Sequence, residues 1–304
     1  SFYACLELGL DAETWIREGI VDIIAISSGG GWRSENDVSR AVAAAKTSGT
    51  LVYVGSGGTY PASPLNGCEN GQPAVRRAIA LNAYQQGAAG VHLFNHDYGN
   101  HRAMPVAPGD ESDMPEREYP PIYQNRMGAY ASDRFTHKDL QTMRDLGDPE
   151  RLKRLDRCYH LASRSPLGDY EPQLPRKLCL IGRGASTENA LRLQVEDDVE
   201  GGLADGRIVK TELRLHLTEH EKSLARIICH VNDQPVDLTA ASTIASSQGE
   251  EWLVVDNPPV RQGMNTVLVV LEGTESPDGW ELQGSGVGEG WPTLHQCELL
   301  LRCE

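Results

Sequence analysis

The hydrophobic periodicity of this chain changes near residue 165, and this change constrains the fold more than any other feature. Before it, short apolar runs alternate with segments of helical periodicity, the pattern of strands buried on both faces with helices packed against them. After it, apolar and polar residues alternate with period two, which is typical of antiparallel strands. The sequence of 304 residues is long enough for two domains. We therefore predict an α/β domain over residues 1–164 and a β-sandwich domain over residues 165–304.

Three strand–helix units are expected in the first part. Their strands are predicted at residues 22–27, 51–54 and 89–94. Such units pair in parallel with right-handed crossovers. A long stretch rich in proline and acidic residues follows at 99–134, and a loop of this length is usually a lid or a binding element. Helices are predicted next, over residues 136–146 and 149–162.

The second part has the pattern of an antiparallel sandwich of the jelly-roll type. Period-two runs are found at residues 190–195, 209–217, 226–231, 251–255, 266–271 and 297–302. Turn residues separate them, among them Asn232, Asp233 and the Asn257-Pro-Pro segment. Short alternating strands spaced by turn signals are typical of two packed sheets.

Three strands are too few for a complete (β/α)₈ barrel, which needs eight strands and about 250 residues. The missing strands could lie upstream of Ser1, another chain could complete the barrel, or the domain could be a small three-stranded α/β layer. We favour the first and the second arrangements, because the chain opens without a methionine and enters a motif in mid-stride. The expected fold is therefore the C-terminal part of a TIM-type (β/α)₈ barrel followed by a sandwich.

Two segments carry a family resemblance. Residues 9–24, Gly-Leu-Asp-Ala-Glu-Thr-Trp-Ile-Arg-Glu-Gly-Ile-Val-Asp-Ile-Ile, resemble a motif that leads into a late barrel strand of bacterial glycoside-hydrolase-like proteins. Residues 87–95 resemble their last barrel strand, and a β-sandwich follows the barrel in those proteins. The resemblance implies that the three strands are the last three of a barrel and that the protein acts on carbohydrate. The matching motifs are structural and not catalytic.

Barrel enzymes carry their catalytic residues at the carboxyl ends of the strands. We therefore expect the candidate site at the carboxyl ends of the three predicted strands. Asp97 is the candidate catalytic residue, since it is the one carboxylate predicted near a strand end. Sugars are bound by flat aromatic rings and by fixed hydrogen-bonding groups. The candidate sugar-binding residues are Trp32, Tyr60, Tyr98, Asn95, His96 and Ser28. Glycoside hydrolysis normally needs a second carboxylate, and the sequence does not identify one. Trp252, Trp280 and Trp291 are better explained by packing than by sugar binding.

The composition excludes several partners. The net charge of −15 argues against nucleic acid, which requires a basic surface. No apolar run reaches the roughly 18–20 residues of a membrane helix. The cysteines form no C-x-x-C pair and the glycine clusters lack nucleotide-binding spacing, so neither a metal nor another cofactor is predicted. Carbohydrate fits this acidic protein. Its compartment stays open between the cytoplasm and secretion with a removed signal peptide.

Three functions compete on this evidence. The first is hydrolysis of glycosidic bonds in a polysaccharide or oligosaccharide, once the barrel is complete. The second is a non-catalytic glycan-binding or structural role on a degenerate barrel, favoured by the shortage of carboxylates at the strand ends. The third is a metal-dependent amidohydrolase with Asp97 activating water, which is disfavoured because Ser27 and Ser56 stand where histidine ligands are expected.

Overall fold

The computed structural model describes residues 2–27, 38–56, 71–93, 143–161, 176–178, 190–221, 224–245, 251–272, 282–283, 286–287 and 292–304. The helices are α1 (Phe2–Glu7), α2 (Ala12–Arg17), α3 (Ser39–Ala45), α4 (Gly71–Gln85), α5 (Pro149–Leu152) and α6 (Val199–Asp205). The strands are β1 (Ile23–Ser27), β2 (Leu51–Ser56), β3 (Gly90–Leu93), β4 (Arg157–Leu161), β5 (Arg176–Lys177), β6 (Leu191–Val195), β7 (Ile208–Thr218), β8 (Ile227–Val231), β9 (Gln234–Val236), β10 (Ser242–Ala245), β11 (Glu251–Asp256), β12 (Gly263–Leu271), β13 (Leu282–Gln283), β14 (Gly286–Val287) and β15 (Thr293–Cys303).

The N-terminal part contains a three-stranded parallel sheet in the order β1-β2-β3. Val52 and Val54 of β2 lie in one apolar cluster with residues of α2, α3 and α4, so these helices cover one face of the sheet. Right-handed crossovers between strands laid down in sequence order put the connecting helices on one side. On the opposite face, Ile23 is 59% exposed and Leu51 is 46% exposed.

The expected TIM-type barrel is wrong. A barrel needs eight parallel strands alternating with helices, whereas the parallel sheet of the described residues has three strands and most of the other strands are antiparallel. The local pattern predicts the three strands that are found at β1, β2 and β3, but it does not determine closure. The arrangement corresponds to the small three-stranded α/β layer. That an upstream segment or another chain supplies further strands stays a prediction.

The antiparallel strands form two larger sheets that pack face to face. The larger sheet has the order β10-β11-β7-β15-β4, with β5 also paired to β15. The smaller sheet has the order β6-β12-β8-β9. Alternate residues of both sheets, such as Leu213, Leu299, Leu193 and Val269, are buried in one apolar core. The tight turn between β8 and β9 uses Asn232 and Asp233, both with positive φ, as these turn residues permit.

Strand β4 occupies a segment that the sequence predicted as helix. Asp148 caps the short helix α5 by accepting hydrogen bonds from the backbone N–H groups of Glu150 and Arg151, but the helix ends at Leu152. The chain then forms β4, which pairs antiparallel with the C-terminal strand β15. The larger sheet therefore takes one strand from the N-terminal side of residue 165. The domain boundary at residues 164–165 stays a prediction.

Helix α4 connects the parallel layer to the two antiparallel sheets. The side chain of Asn82 donates to the carbonyl of Gln194 at 2.8 Å and accepts from the N–H of Glu196 at 2.9 Å. It thereby takes the place of a neighbouring strand along the edge of β6, where unpaired backbone groups are otherwise open to association. Cys158 and Leu300, on the outer side of the larger sheet, belong to the apolar cluster of the parallel layer.

Candidate functional site

The site predicted from the sequence lies outside the described residues. This applies to every residue proposed for the site: Asp97, Trp32, Tyr60, Asn95, His96, Tyr98 and Ser28. Their placement stays a prediction. Of the three tryptophans considered in the β part, Trp252 is buried, so in this structure its ring is not an exposed platform for a sugar.

The described residues hold another cluster of polar groups, on the outer face of the larger antiparallel sheet. Successive side chains of a strand point to opposite faces. In β15 the side chains of Cys297, Leu299 and Leu301 enter the core between the sheets, so the residues between them point outward. We call the resulting cluster the polar face, and it consists of His160, Glu212, Arg214, His216, Trp252, Gln296 and Glu298.

Cross-strand register brings these residues together. Glu298 of β15 is directly opposite His160 of β4 on one side and Arg214 of β7 on the other. Two residues before Glu298 and on the same face of β15, Gln296 is opposite His216. The ring of His216 stacks on Trp252 of β11 with the centroids 5.2 Å apart. Side chains directly opposite on adjacent strands have Cβ atoms about 4.5–5.5 Å apart, so the polar face is one contiguous patch across four strands.

The polar face is buried, and several of its polar atoms have no hydrogen-bond partner among the described residues. Glu298 is 1% exposed and His160 is 2% exposed. The atoms concerned are both carboxylate oxygens of Glu298, both ring nitrogens of His160, Oε1 of Gln296, Nε1 of Trp252 and Nη1 of Arg214. Leaving a buried polar group unsatisfied costs about 1–3 kcal/mol. Five such residues on one sheet face are therefore a costly arrangement for packing alone.

Ion pairs hold the other end of the polar face. Arg214 donates from Nε at 3.0 Å and from Nη2 at 2.6 Å to Oε2 of Glu212. Glu212 also lies 3.2 Å from Nζ of Lys210 and 3.7 Å from Nε of Arg302. Burial by itself would raise the pKa of Glu212, but the hydrogen bond and the charge of Arg214 outweigh it and hold the pKa below its ordinary value. This carboxylate fixes Arg214 so that Nη1 remains available.

Burial shifts the pKa values of the two central groups in opposite directions. It raises the pKa of Glu298 to about 7, against a smaller opposing effect of the Arg214 charge. It lowers the pKa of His160 to about 4. Both shifts have the same cause, which is that a low-dielectric environment disfavours the charged form of either group. At mildly acidic pH both groups are therefore neutral, and each has a hydrogen to donate and a lone pair to accept with.

A second polar network, between the two sheets, differs from the polar face because its buried cation and carboxylate are paired with each other. Arg157 is buried and its Nη2 lies 2.8 Å from Oδ1 of Asp197. The hydroxyl of Tyr159 donates to the same carboxylate, and Nη1 of Arg157 donates to the carbonyl of Leu152 at 2.6 Å. A buried ion pair with hydrogen bonds to neighbouring segments holds elements together. We assign this network to the fold.

A shallow groove of about 400 Å³ lies at the margin of the sheets formed by β9, β10 and β11. It includes Val236, Ser242 and Asp256. Asp256 is paired with Lys210 at 2.8 Å, and the hydroxyl of Ser242 donates to the carbonyl of Val254 at 3.5 Å. These polar groups already have partners, so the groove has less chemistry to offer than the polar face.

The comparisons with known proteins do not identify a functional site in this chain. No family model matches this chain. A search of curated proteins also finds no significant match. Within the described ranges, no three His, Cys, Asp or Glu side chains are grouped so that they could hold a metal ion, and no helix is long and apolar enough to span a membrane.

The sequence contained a signal for the polar face that periodicity alone did not reveal. Alternation in β15 predicts that Gln296, Glu298 and Arg302 face solvent, yet the apolar Leu300 lies on the same side. In β11 the outward side carries Trp252. A large apolar residue within a predicted solvent face indicates that the face is covered. His160 was missed for a different reason, since its segment was assigned to a helix.

Proposed function

We propose that this chain binds a carbohydrate at the polar face of its larger antiparallel sheet. The observation that supports this is the set of five buried residues on one face with polar atoms that lack partners in the described part of the chain. A ligand with hydroxyl groups would supply those partners and recover the cost of about 1–3 kcal/mol for each group.

The mixture of donors and acceptors favours hydroxyl groups over other ligand chemistry. Nε1 of Trp252 and Nη1 of Arg214 can only donate, whereas Oε1 of Gln296 can only accept. Neutral His160 offers one donor and one acceptor. A hydroxyl group donates one hydrogen bond and accepts two, so a polyhydroxylated molecule can satisfy all of these atoms. A ligand that only donates or only accepts would leave several of them unsatisfied.

The burial of the polar face also predicts how the ligand enters. Because Glu298 and His160 are almost completely buried, a ligand reaches them only when the protein opens around this face. We therefore expect slow association, with a rate that levels off at high ligand concentration because opening limits it. Stopped-flow fluorescence of the tryptophans would measure this rate.

Hydrolysis of glycosidic bonds, the other function that the sequence suggested, stays a prediction. It was argued from Asp97, which lies outside the described residues. Binding without turnover is the function that the described geometry favours. A reducing-end assay on oligosaccharides distinguishes the two, since release of new reducing ends would require a catalytic site in addition to the polar face.

The test is a binding assay with defined sugars. Glucose, galactose, mannose, xylose, N-acetylglucosamine and cellobiose would be titrated into the protein and followed by isothermal calorimetry. Replacing Gln296 by leucine removes one unsatisfied acceptor while roughly keeping the side-chain volume. We expect Gln296→Leu to weaken binding about two- to tenfold, because one hydrogen bond contributes about 0.5–1.5 kcal/mol. It should not lower the stability of the ligand-free protein, because the acceptor that it removes is unsatisfied there.

Gln234→Leu is the matched control, because Gln234 is exposed on β9 and does not belong to the polar face. It should leave the affinity unchanged. Two results would oppose the proposal: none of the six sugars binds, or Gln296→Leu binds as tightly as the wild type. The first would mean that the unsatisfied atoms serve the fold, for instance by holding internal water.

A further inference from the structure

The surroundings of Glu298 determine the form in which it can meet a ligand. From β4 it is faced by His160 and, diagonally, by Cys158; from β7 it is faced by Arg214 and, diagonally, by Glu212 and His216. Among these groups Arg214 is the cation opposite Glu298, and its charge is largely neutralised by the two hydrogen bonds to Glu212. An ionised Glu298 would therefore be a buried charge with little compensation, which is highly unfavourable.

The protonated carboxyl group can exchange hydrogen bonds with a hydroxyl ligand without the cost of a buried charge, which the carboxylate cannot avoid here. In its neutral form Glu298 donates one hydrogen bond and accepts others, as the hydroxyl groups of a sugar do. In its ionised form it only accepts. A neutral ligand supplies no positive charge to offset the ionised form. Binding of the ligand and binding of the proton therefore both favour the neutral form of Glu298.

We propose that the carbohydrate binds only the protonated form of Glu298, so that binding at the polar face is linked to protonation of this carboxyl group. This inference rests on the proposed function and adds its regulation by pH. The position of Glu298, buried and directly between His160 and Arg214, supports it independently of any titration value. Linkage then requires that the ligand raises the pKa of Glu298 and that protonation raises the affinity for the ligand by the same factor.

The experiment measures the affinity of the same six sugars for the wild-type protein between pH 6 and pH 9. Since burial raises the pKa of Glu298 to about 7, affinity should be constant well below pH 7 and fall towards tenfold per pH unit above it. Calorimetry at pH 8 in two buffers of different ionisation enthalpy should show the uptake of up to one proton per ligand bound.

Glu298→Gln provides the second arm, because glutamine is neutral, nearly the same size, and both donates and accepts. It should bind the same sugars with an affinity that is flat from pH 6 to pH 9. Wild-type binding that does not change over this range would overturn the linkage while leaving carbohydrate binding intact. Failure of all six sugars to bind at any pH would overturn both proposals. Binding by Glu298→Gln that still falls above pH 7 would assign the linkage to another group.

Discussion

The opposite pKa shifts of Glu298 and His160 predict that two single substitutions will change the pH dependence of stability in opposite directions. For Glu298 the pKa rises from 4.5 to about 7 on folding. The folded protein holds this proton more tightly than the unfolded chain does, so stability is lost as pH rises through this interval. For His160 the pKa falls from 6.5 to about 4. The unfolded chain holds that proton more tightly, so stability is lost as pH falls through this interval.

The magnitude follows from the size of the shifts. Each group changes stability by about 1.4 kcal/mol per pH unit inside its interval, and by about 3 kcal/mol in total. Between pH 4.5 and pH 6.5 both groups are active with opposite slopes, so their effects cancel in the wild type. In Glu298→Gln only the pH dependence that is due to His160 remains. The stability of this variant relative to the wild type should therefore increase with pH, reaching about 3 kcal/mol above pH 7. His160→Gln should show the opposite trend and gain most near pH 4.

Urea denaturation at fixed ionic strength, from pH 4 to pH 8 in half-unit steps, measures these differences. The quantity to compare is the unfolding free energy of each variant minus that of the wild type, because the other titrating groups are then subtracted. Glu251→Gln is the matched control, since Glu251 is exposed on β11, and its difference should be flat within about 0.5 kcal/mol. The double variant should equal the sum of the singles unless the two groups are coupled. A Glu298→Gln difference that does not vary with pH would refute the reasoning.

Three further changes test the fold that holds the polar face. Asp197→Ala leaves the guanidinium of Arg157 buried without its carboxylate and should lower the unfolding free energy by about 3–5 kcal/mol. The control Asp198→Ala removes an exposed helix cap and should lower it by about 1 kcal/mol. Similar losses in the two variants would contradict the account. Asn82→Leu removes the amide that covers the edge of β6 and should promote self-association, seen by light scattering. Gly90→Ala places a methyl group 2.5 Å from a ring carbon of Tyr53 on β2 and should lower the melting temperature by an amount equivalent to about 1–3 kcal/mol. An unchanged melting temperature would mean that the Tyr53 ring moves freely.

The strands of the chain could be predicted where their pattern is local. The alternation at residues 209–217 predicted β7, which is found as Ile208–Thr218. The apolar run at 51–54 predicted β2, found as Leu51–Ser56. Strand β4 could not be predicted in this way, since Pro149 and its neighbours suit the start of a helix. What makes residues 157–161 a strand is pairing with β15, far away in the sequence.

Closure of the parallel sheet and the candidate site depended on information that periodicity does not contain. Three strand–helix units have the same local pattern in an open layer and in a barrel, and only the number and pairing of strands separate the two. The polar face was hidden for a related reason. Alternation in β15 identifies the two faces of the strand but not whether the outer face meets solvent. Buried Glu298 therefore looked like an ordinary surface residue until its surroundings were known.

The most direct test of carbohydrate binding at the polar face is the indole N–H resonance of Trp252 in a ¹⁵N–¹H spectrum. Trp252→Phe assigns the signal, because it removes one indole resonance from the spectrum. We predict that adding a sugar that binds moves the Trp252 signal, since the Nε1–H group lies on the polar face without a partner in the described residues and would donate a hydrogen bond to the ligand. A sugar that binds and shifts other tryptophan signals, while the Trp252 signal stays in place, would contradict the assignment of the site.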